Sequence, residues 1–380
     1  MVTIAVTAEP ENEPRVAISP DTVKKLVAAK CKVRIEAGAG LRSGVDDDAY
    51  KAQGAEITAS AADAVKGADV LLCVRRPSNE TISALAPGAV VVGMLDPFGD
   101  RSELEAMAAT KAQLFSMEFL PRTTRAQAMD VLSSQANLAG YKSVVDAAAE
   151  FGAVVPMMTT PAGTVPAAKA FIMGVGVAGL QAIATARRLG AIVTATDVRP
   201  ATKEQVQSLG AKFVAVEDEE FAQAQTAGGY AKEMSAEYKA KQAELVANHV
   251  KAQDIIITTA LIPGRPAPTL LTKKMVETMK RGAVIVDLAA ERGGNCELTV
   301  PGQTIVTDNG VKIIGKLNYA GTVPVNASGL YARNLLSFLT LMLDKDEGTL
   351  NVNMDDDLIQ GTLIAKDGAL VHPNLTKETA

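Results

Sequence analysis

Short apolar runs alternate with amphipathic stretches along the first third of the chain. The amphipathic stretches have helical spacing, and the clearest helix start is Ser19, an N-cap residue followed by Pro20 at the first helical position. Asp100 or Ser102 can cap a further helix in the same way. Such alternation predicts a parallel sheet covered by helices. The predicted strands are 2–7, 32–36, 70–74, 89–95 and 113–117.

The pattern changes after residue 125. Residues 126–151 predict one long helix without proline, which we expect to pass from one domain to the next. A proline-rich connector follows at 156–166. Near the end, the apolar helix 328–343 is expected to return the chain to the first domain, and Asp367-Gly368 marks a hairpin turn. Between the connector and this helix, the doubly wound pattern predicts strands at 169–173, 191–196, 212–216, 254–259, 283–288 and 311–314.

These elements predict an α/β fold of two Rossmann-like domains, each a doubly wound parallel sheet, joined by long helices. We expect the first domain to be discontinuous, comprising residues 1–137 and 322–380. The second domain is expected to comprise residues 138–321.

One interval of the second domain, 217–253, is too long for an ordinary connection between strands. Gly228 and Gly229 supply hinge freedom beside Tyr230. The sequence therefore predicts a mobile loop at 217–242 that closes over a ligand. A solvated surface insertion is the alternative.

One segment has the order strand, glycine turn, helix, strand and acid that a bound dinucleotide requires. Gly174 permits the tight turn, Gly176 leaves room for a pyrophosphate to reach backbone N–H groups, and Gly179 lets the helix pack close to the strand. The helix N-terminus turns its positive end toward the phosphates. Asp197 is spaced to accept hydrogen bonds from the adenosine ribose, which favours NAD over NADP, whereas Arg199 leaves contact with a 2′-phosphate open. A similar turn in a nucleotide-free α/β domain is the alternative.

The composition of the 380 residues excludes several classes of protein. The net charge is −5 and the charges are interspersed, so nothing indicates nucleic-acid binding. The three cysteines have neither metal-ligand nor disulfide spacing, so we expect no metal site and a reducing compartment. No apolar stretch is long enough for a bilayer and the first residues resemble a strand, which predicts a cytoplasmic protein without direct membrane insertion. Acidic clusters at 46–48, 218–220 and 355–357 are typical of solvated loops or helix ends.

Histidine is scarce, and this limits the chemistry. The two histidines, His249 and His372, lie in a predicted helix and beside Pro373, which indicates structural or surface roles. A dehydrogenase that oxidises an alcohol, amine or hydroxy acid moves a proton with the hydride, usually through histidine, lysine or a carboxylate. Hydride transfer between two nicotinamides needs only two rings held face to face without water. The sequence therefore favours a protein that positions a coenzyme.

The segment 119–141 fits such a positioning role. Arg122, Gln127 and Asp130 lie in a loop and the first turn of the long helix. The amide of Gln127 can bond to the nicotinamide carboxamide, and an Arg122–Asp130 pair can lock the loop. An ordinary helix entry with a surface ion pair is the alternative.

Several motifs carry a resemblance to a known family. Beside the segment 119–141, they are R-V-A-I-S-P at 15–20, S-S-Q-A-N-L-A-G-Y at 133–141, T-A-G-G-Y-A-K-E-M at 226–234, I-T-T-A-L-I-P-G-R-P-A-P at 257–268 and V-D-L-A-A-E-R-G-G-N-C-E at 286–297. Together they resemble the NAD(H)-binding subunit of proton-translocating nicotinamide nucleotide transhydrogenase, whose family shares its fold with alanine dehydrogenase. The matches run through almost the whole chain.

The resemblance implies the NAD(H)-binding component of a transhydrogenase, a translocase of the Si-specific/Re-face type. Hydride would pass directly from NADH to NADP⁺, with NADP(H) held only on a partner subunit. Membrane-spanning subunits would couple the reaction to proton translocation. The resemblance also implies a homodimer that is peripheral to the inner membrane through these partners.

The resemblance also implies roles for particular residues. At the nicotinamide end it places Arg122, Gln127, Asp130 and Ser133. In the second domain it places Val177 along the pyrophosphate, Asp197, Val198 and Arg199 at the adenosine ribose, Gly229 and Gln242 beside the loop that carries Tyr230, and Leu261 beside the nucleotide. The roles of Ser133, Gln242 and Leu261 come only from the resemblance.

An alanine dehydrogenase-like amino-acid oxidoreductase is the main alternative. Its pyruvate-binding arginine is present here as Arg15. Its substrate lysine is replaced by Arg75, its catalytic histidine by Asp96 and its catalytic aspartate by Glu291. These three changes argue against amino-acid oxidation. A module that only senses NAD(H) is a third alternative, and the loop at 217–242 and the nicotinamide-end segment argue against it.

Overall fold

The computed structural model describes residues 1–224, 234–344 and 347–376. The chain divides into two compact units. The first comprises Met1–Gln135 together with Ala320–Ala380, and the second comprises Ala136–Tyr319.

The first unit begins with alternating strands and helices. The elements are β1 (Thr3–Val6), α1 (Pro20–Ala28), β2 (Lys32–Glu36), α2 (Asp47–Lys51), β3 (Glu56–Thr58), α3 (Ala61–Val65), β4 (Val70–Leu72), α4 (Asn79–Ser83), β5 (Val90–Gly93), α5 (Arg101–Ala109) and β6 (Gln113–Ser116). Short 3₁₀ turns lie at Leu41–Ser43, Met117–Phe119 and Thr124–Met129, and α6 (Val131–Glu150) follows.

The second unit has the same alternation. After a small hairpin, its strands and helices follow in the order β7 (Met158–Thr160), β8 (Gly163–Val165), β9 (Lys169–Met173), α7 (Val177–Arg188), β10 (Ile192–Thr196), α8 (Thr202–Ser208), β11 (Lys212–Phe213), α9 (Glu219–Ala222), α10 (Ala236–Val250), β12 (Ile255–Thr258), α11 (Lys273–Glu277), β13 (Val284–Asp287), β14 (Thr304–Val306) and β15 (Lys312–Ile314). A 3₁₀ turn lies at Ala290–Arg292.

The chain then completes the first unit. Its last elements are α12 (Pro324–Leu339), β16 (Leu343–Asp344), β17 (Thr349–Leu350), α13 (Asp357–Thr362), β18 (Leu363–Lys366), β19 (Ala369–Leu370) and α14 (Pro373–Thr376), after a 3₁₀ turn at Ala320–Thr322.

Both main sheets confirm the predicted doubly wound α/β fold. The first sheet has the order β19-β18-β6-β5-β4-β1-β2-β3, in which β1 to β6 are parallel. The second has the order β11-β10-β9-β12-β13-β15-β14, with only β14 antiparallel among the described strands. In each sheet the strand order reverses beside the first long strand, β1 or β9. Ligands of such sheets bind at that reversal, outside the carboxyl ends of the strands.

The cores of the two units follow from the alternation of side chains along the strands. In the first sheet Ile4 packs with Phe115 and Phe338 on one face, whereas the neighbouring Ala5 packs on the other face. In the second sheet, neighbouring residues of β9 and of β12 likewise belong to opposite faces. Both faces of each sheet are therefore buried, as expected for parallel strands with helices on both sides. Within the described residues, no helix is long and apolar enough to cross a membrane.

The predicted strands are all present, and the predicted terminal hairpin is confirmed. β18 and β19 are antiparallel, and both turn residues, Asp367 and Gly368, have positive φ. The apolar pattern gave no signal for β3, β7, β8 or β14, because these strands are short and largely exposed. The predicted helix 328–343 begins earlier, with Pro324 in the first turn.

The predicted helix caps are also confirmed. Ser19 forms a capping box with Thr22, and the carboxylate of Asp100 accepts from two backbone amides of α5. Each predicted acidic cluster lies at a helix start and supplies an N-cap side chain. The capping residues are Asp46, Asp218 and Asp356.

Gly140 tests the packing of two helices in the second unit. A Cβ on Gly140 of α6 would lie 2.0 Å from the carbonyl oxygen of Ala178 in α7. Gly140→Ala should therefore lower the free energy of unfolding by about 1–3 kcal/mol, because a backbone atom cannot move aside cheaply. Thermal unfolding followed by circular dichroism measures this. Gly152→Ala is the matched control, since a Cβ there meets nothing within 4 Å. Equal melting temperatures for the two variants would contradict the prediction.

Candidate functional site

The glycine turn after β9 has the geometry that its sequence predicts. Gly174 has a φ of 102°, and a Cβ there would lie 2.4 Å from the hydroxyl oxygen of Thr259. A Cβ on Gly179 would lie 1.9 Å from the carbonyl oxygen of Gly174, so the first turn of α7 packs directly on the turn backbone. A Cβ on Gly176 meets nothing within 4 Å. The turn is thus tight at its first and third glycines and open at its second.

The N-terminus of α7 can bind an anion at this opening. Gly176 is the N-cap residue and supplies no side-chain cap, and Val177 beside it is 39% exposed. The first amides of a helix have no partner within the helix and carry the positive end of its dipole. A phosphate group over Gly176 would satisfy these amides.

Asp197 follows β10, opposite the glycine turn. Its carboxylate accepts from the backbone amide of Val175 at 2.7 Å and from the backbone amide of Arg199 at 2.9 Å. It also accepts from Nε of Arg199 at 2.9 Å and from Nη2 at 3.0 Å. The hydrogen bonds with Asp197 raise the pKa of Arg199. The guanidinium of Arg199 is thus committed to the acid, while Val198 is exposed.

Gln242 connects the ends of two strands rather than standing free. Its side-chain oxygen accepts from the amide of Val216 at 2.8 Å, and its nitrogen donates to the hydroxyl of Thr196 at 3.3 Å. Gln242 therefore fixes the start of the long interval before α10. Gly229 and Tyr230, the predicted residues of the mobile loop, lie outside the described residues.

The loop after β12 lies beside the glycine turn. Because β9 and β12 are neighbours at the reversal of strand order, their carboxyl ends are adjacent. The hydroxyl of Thr259 donates to the carbonyl of Gly174 at 3.1 Å. Two large apolar side chains of this loop, Leu261 and Ile262, are 53% and 46% exposed. The second unit therefore brings together the predicted glycines, Asp197, Arg199 and the loop of Leu261.

The predicted nicotinamide-end residues belong to the first unit. Arg122 and Gln127 are exposed, and Asp130 directly precedes α6. The carboxylate of Asp130 accepts from the amide of Ser133 at 2.8 Å and from its hydroxyl at 2.6 Å. The predicted Arg122–Asp130 ion pair is not formed in this structure, because the carboxylate caps the helix instead. The cap also explains why the α-helix begins at Val131 and not at residue 126.

Sequence reasoning missed the residues that hold the 122–130 segment. Arg125 pairs with Asp356 and Asp357 at the start of α13. Asn334 of α12 donates to the carbonyl of Ala128 at 2.8 Å. These partners lie far from the segment in the sequence, and only the acidic cluster at 355–357 gave any signal. The segment therefore has a defined backbone with Arg122 and Gln127 on its exposed side.

Arg15, the arginine shared with alanine dehydrogenase, is buried in an internal ion pair. Its Nε and Nη2 donate to the two carboxylate oxygens of Glu13 at 2.7 and 2.6 Å, and its Nη1 donates to Gln135 at 2.9 Å. Burial works to raise the pKa of Glu13, but Arg15 and Arg75 outweigh it and lower that pKa to about 2. Arg15 is only 2% exposed. The edge of its guanidinium that could bind a substrate carboxylate is already bonded to Glu13.

Both histidines have the structural roles predicted for them. His249 bonds to the hydroxyl of Thr194 at 2.8 Å and packs edge-on against Phe171. His372 stacks on Phe119, accepts from the amide of Asn374 and faces the carbonyl of Gly361. Burial lowers the pKa of both rings. No group of histidine, cysteine or acidic side chains in the described part of the chain is arranged for a metal ion.

Fold and turn together define a protein with two Rossmann-like domains, one of which has an open glycine turn for a dinucleotide. Residues 5–139 match the alanine dehydrogenase/PNT N-terminal domain and residues 143–373 match the alanine dehydrogenase/PNT C-terminal domain. Over 373 residues the chain is 52% identical to the first part of the alpha subunit of the NAD(P) transhydrogenase of Rhodospirillum rubrum. This match covers 97% of each chain.

Solved structures give the same result. A transhydrogenase from Sinorhizobium meliloti superposes with a TM-score of 0.89 at 53% identity, over 97% of this chain and 100% of that one. An L-alanine dehydrogenase superposes with a TM-score of 0.81 at 25% identity, over 98% of both chains. The chain belongs to the alanine dehydrogenase/PNT family, on the branch of the NAD(P) transhydrogenase alpha subunits. This confirms the resemblance found in the sequence.

The open and closed glycines of the turn should respond differently to alanine. Gly179→Ala is expected to destabilise the second unit by about 1–3 kcal/mol, because the new Cβ meets the carbonyl of Gly174. Gly176→Ala should leave stability unchanged, since its φ of −82° suits alanine and the space is empty. Urea unfolding followed by circular dichroism compares the two. A larger loss for Gly176→Ala than for Gly179→Ala would contradict this geometry.

Proposed function

We propose that this chain is the NAD(H)-binding component of a proton-translocating transhydrogenase. It positions NADH for direct hydride transfer to NADP⁺ on a partner subunit, and membrane-spanning subunits couple this transfer to proton movement. The observation that carries the proposal is the open turn at Gly176 beside Asp197, in a chain related along its whole length to transhydrogenase alpha subunits.

The second unit fits a dinucleotide. The free amides at the start of α7 would hold the pyrophosphate, and Val177 would lie along it. Asp197 and Val198 would hold the adenosine ribose, with Leu261 beside the nucleotide. NAD(H) supplies the transferable hydride, and the residues of this chain orient and shield it. Gln242 would support the base of the loop that carries Gly229 and Tyr230, and this loop would close over the coenzyme.

The contact between Asp197 and Arg199 supports NAD(H) rather than NADP(H) on this chain. A 2′-phosphate would approach the negative charge of Asp197, and the nearest cation, Arg199, is already bonded to that carboxylate. Ribose hydroxyls can donate to a carboxylate, whereas a phosphate cannot. NADP(H) is accordingly assigned to the partner subunit alone.

Catalysis on this chain is proposed to be positional. Arg122, Gln127, Asp130 and Ser133 would hold the nicotinamide end, and Gln127 is exposed with its amide available for a carboxamide. Both histidines are used in packing, so neither is placed to move a proton. Hydride transfer between two nicotinamides needs no proton donor, which agrees with the packing roles of both histidines.

A homodimer is part of the proposal, and an exposed hairpin supports it. Every residue of β7 and β8 is exposed, including Met158 and Val165, and Met157 beside them is 66% exposed. An isolated two-stranded hairpin has little stability in water, and exposed large apolar side chains on it favour contact with another chain. The remaining partners are the NADP(H)-binding subunit and the membrane-spanning subunits, which would hold this chain at the inner membrane.

An alanine dehydrogenase-like activity is the alternative function. The presence of an arginine at position 15 favours this activity. However, Glu13 already occupies the edge of Arg15 that would bind a substrate carboxylate. The 25% identity to the solved alanine dehydrogenase is also far below that to the transhydrogenases.

Hydride exchange between separate proteins tests the proposal. The purified chain is mixed with the NADP(H)-binding component of a transhydrogenase, NADPH and an acetylpyridine analogue of NAD⁺ whose reduced form absorbs at its own wavelength. We expect reduction of the analogue only when both proteins are present. Gly176→Ala is the matched variant: it should fold normally and lose the exchange. Oxidation of NADH by pyruvate and ammonia with this chain alone would overturn the proposal in favour of alanine dehydrogenase.

Gln127 separates positioning from binding. Gln127→Asn shortens the side chain by one methylene, so it should slow hydride transfer about tenfold or more while NADH affinity changes much less. Stopped-flow transfer rates and NADH fluorescence titrations measure the two quantities. Gln360→Asn, on the exposed side of α13, is the control and should change neither. Equal losses of rate and affinity would mean that Gln127 only binds.

A further inference from the structure

Asp287, at the end of β13, is a fully buried carboxylate that no cation of the described residues pairs with. It accepts five hydrogen bonds, from the hydroxyls of Thr258 and Thr299 and from the backbone amides of Ala289, Asn295 and Cys296, at 2.6 to 3.0 Å. A carboxylate has about four acceptor positions, so this one is saturated. Burying a carboxylate is costly, and the donors that offset the cost fold residues 288–299 tightly around it.

Asn295 is the residue that this turn places most completely. It has no exposed surface, and its amide donates to Asp287. Its side chain bonds to both backbone groups of Ala260: Oδ1 accepts from the amide at 2.9 Å, and Nδ2 donates to the carbonyl at 2.8 Å. Nδ2 also donates to the carbonyl of Pro268 at 2.8 Å. Asn295 therefore holds both ends of the loop 260–268.

This loop presents apolar surface where a nucleotide would bind. Thr259, just before it, bonds to the carbonyl of Gly174 in the glycine turn. Leu261 and Ile262 follow and are about half exposed. Apolar side chains that a buried polar network holds outward are unfavourable in water. Covering them with a flat ring removes this apolar surface from water and is favourable.

We propose that Asn295, oriented by Asp287, is a positioning residue for the dinucleotide. It holds the loop 260–268 so that Leu261 and Ile262 form an apolar wall against the bound coenzyme. This inference rests on the proposed binding of NAD(H) by the second unit. It adds residues that contact no ligand themselves and act only through the loop.

Asn295→Asp in the full chain tests the inference. The variant is isosteric, but its second oxygen would face the carbonyls of Ala260 and Pro268 and could not donate to them. We expect the dissociation constant of NADH, measured by NADH fluorescence, to rise about tenfold or more, the equivalent of losing one or two hydrogen bonds.

Asn309→Asp is the matched control in the same unit. The side-chain nitrogen of Asn309 also donates to two backbone carbonyls, those of Val276 and Met279, but at the turn between β14 and β15. It should lower the melting temperature comparably and leave NADH affinity unchanged. A purely structural role for Asn295 predicts the same behaviour for both variants.

Leu261→Ser separates the wall from the residue that holds it. Leu261 is exposed, so this variant folds even where Asn295→Asp does not, and NADH affinity should fall by a similar factor. The double variant should bind NADH no less tightly than the single variant with the lower affinity, because both changes remove the same apolar wall. Additive losses, or unchanged affinity in either single variant, would overturn the inference. Failure of the unaltered chain to bind NADH would instead overturn the proposed function.

Discussion

The direct contact of α7 with the backbone of the glycine turn is the constraint on which the second unit depends. The space for a side chain at Gly179 is taken by the carbonyl of Gly174, so the helix meets the turn backbone to backbone. That closeness aims the helix N-terminus at the open space over Gly176. A second close contact, between Gly140 and the backbone of Ala178, involves the same helix. The proposed phosphate site is thus a result of packing and needs no charged side chain of its own.

The two units share one sheet topology but use their carboxyl ends differently. In the second unit the strand ends carry an open turn and an exposed apolar loop. In the first unit the corresponding edge is filled by Arg15 and Arg75, which both pair with the carboxylate of Glu13. Glu9 is buried beside them, and burial raises its pKa to about 7 although the amides of Val74 and Arg75 donate to it. A fold of this kind offers two possible sites, and internal charge pairing closes the one in the first unit.

The sequence was sufficient where short-range pattern determines structure. The apolar periods predicted the main strands, and the glycine spacing predicted the turn, because both depend on residues close together in the chain. It failed for Asp130, where the choice between Arg122 and Ser133 as partner depends on backbone direction. It gave no signal for Asn334 or Asn295, whose partners lie far away in the chain. Buried polar residues of this type are recognised only when their hydrogen bonds are seen.

The saturated carboxylate of Asp197 has a consequence for the energetics of ligand exchange. Every acceptor position on it is occupied by a donor of the protein itself, two of them by the side chain of Arg199. A ribose hydroxyl can therefore bond to it only by substitution, and the displaced charge-assisted bond, worth about 1.5–3 kcal/mol, is subtracted from the gain. Under the proposed function, Asp197 would thus recognise the sugar without retaining it tightly. A protein that must release its product coenzyme after each turnover would release it faster because Arg199 competes for the same carboxylate.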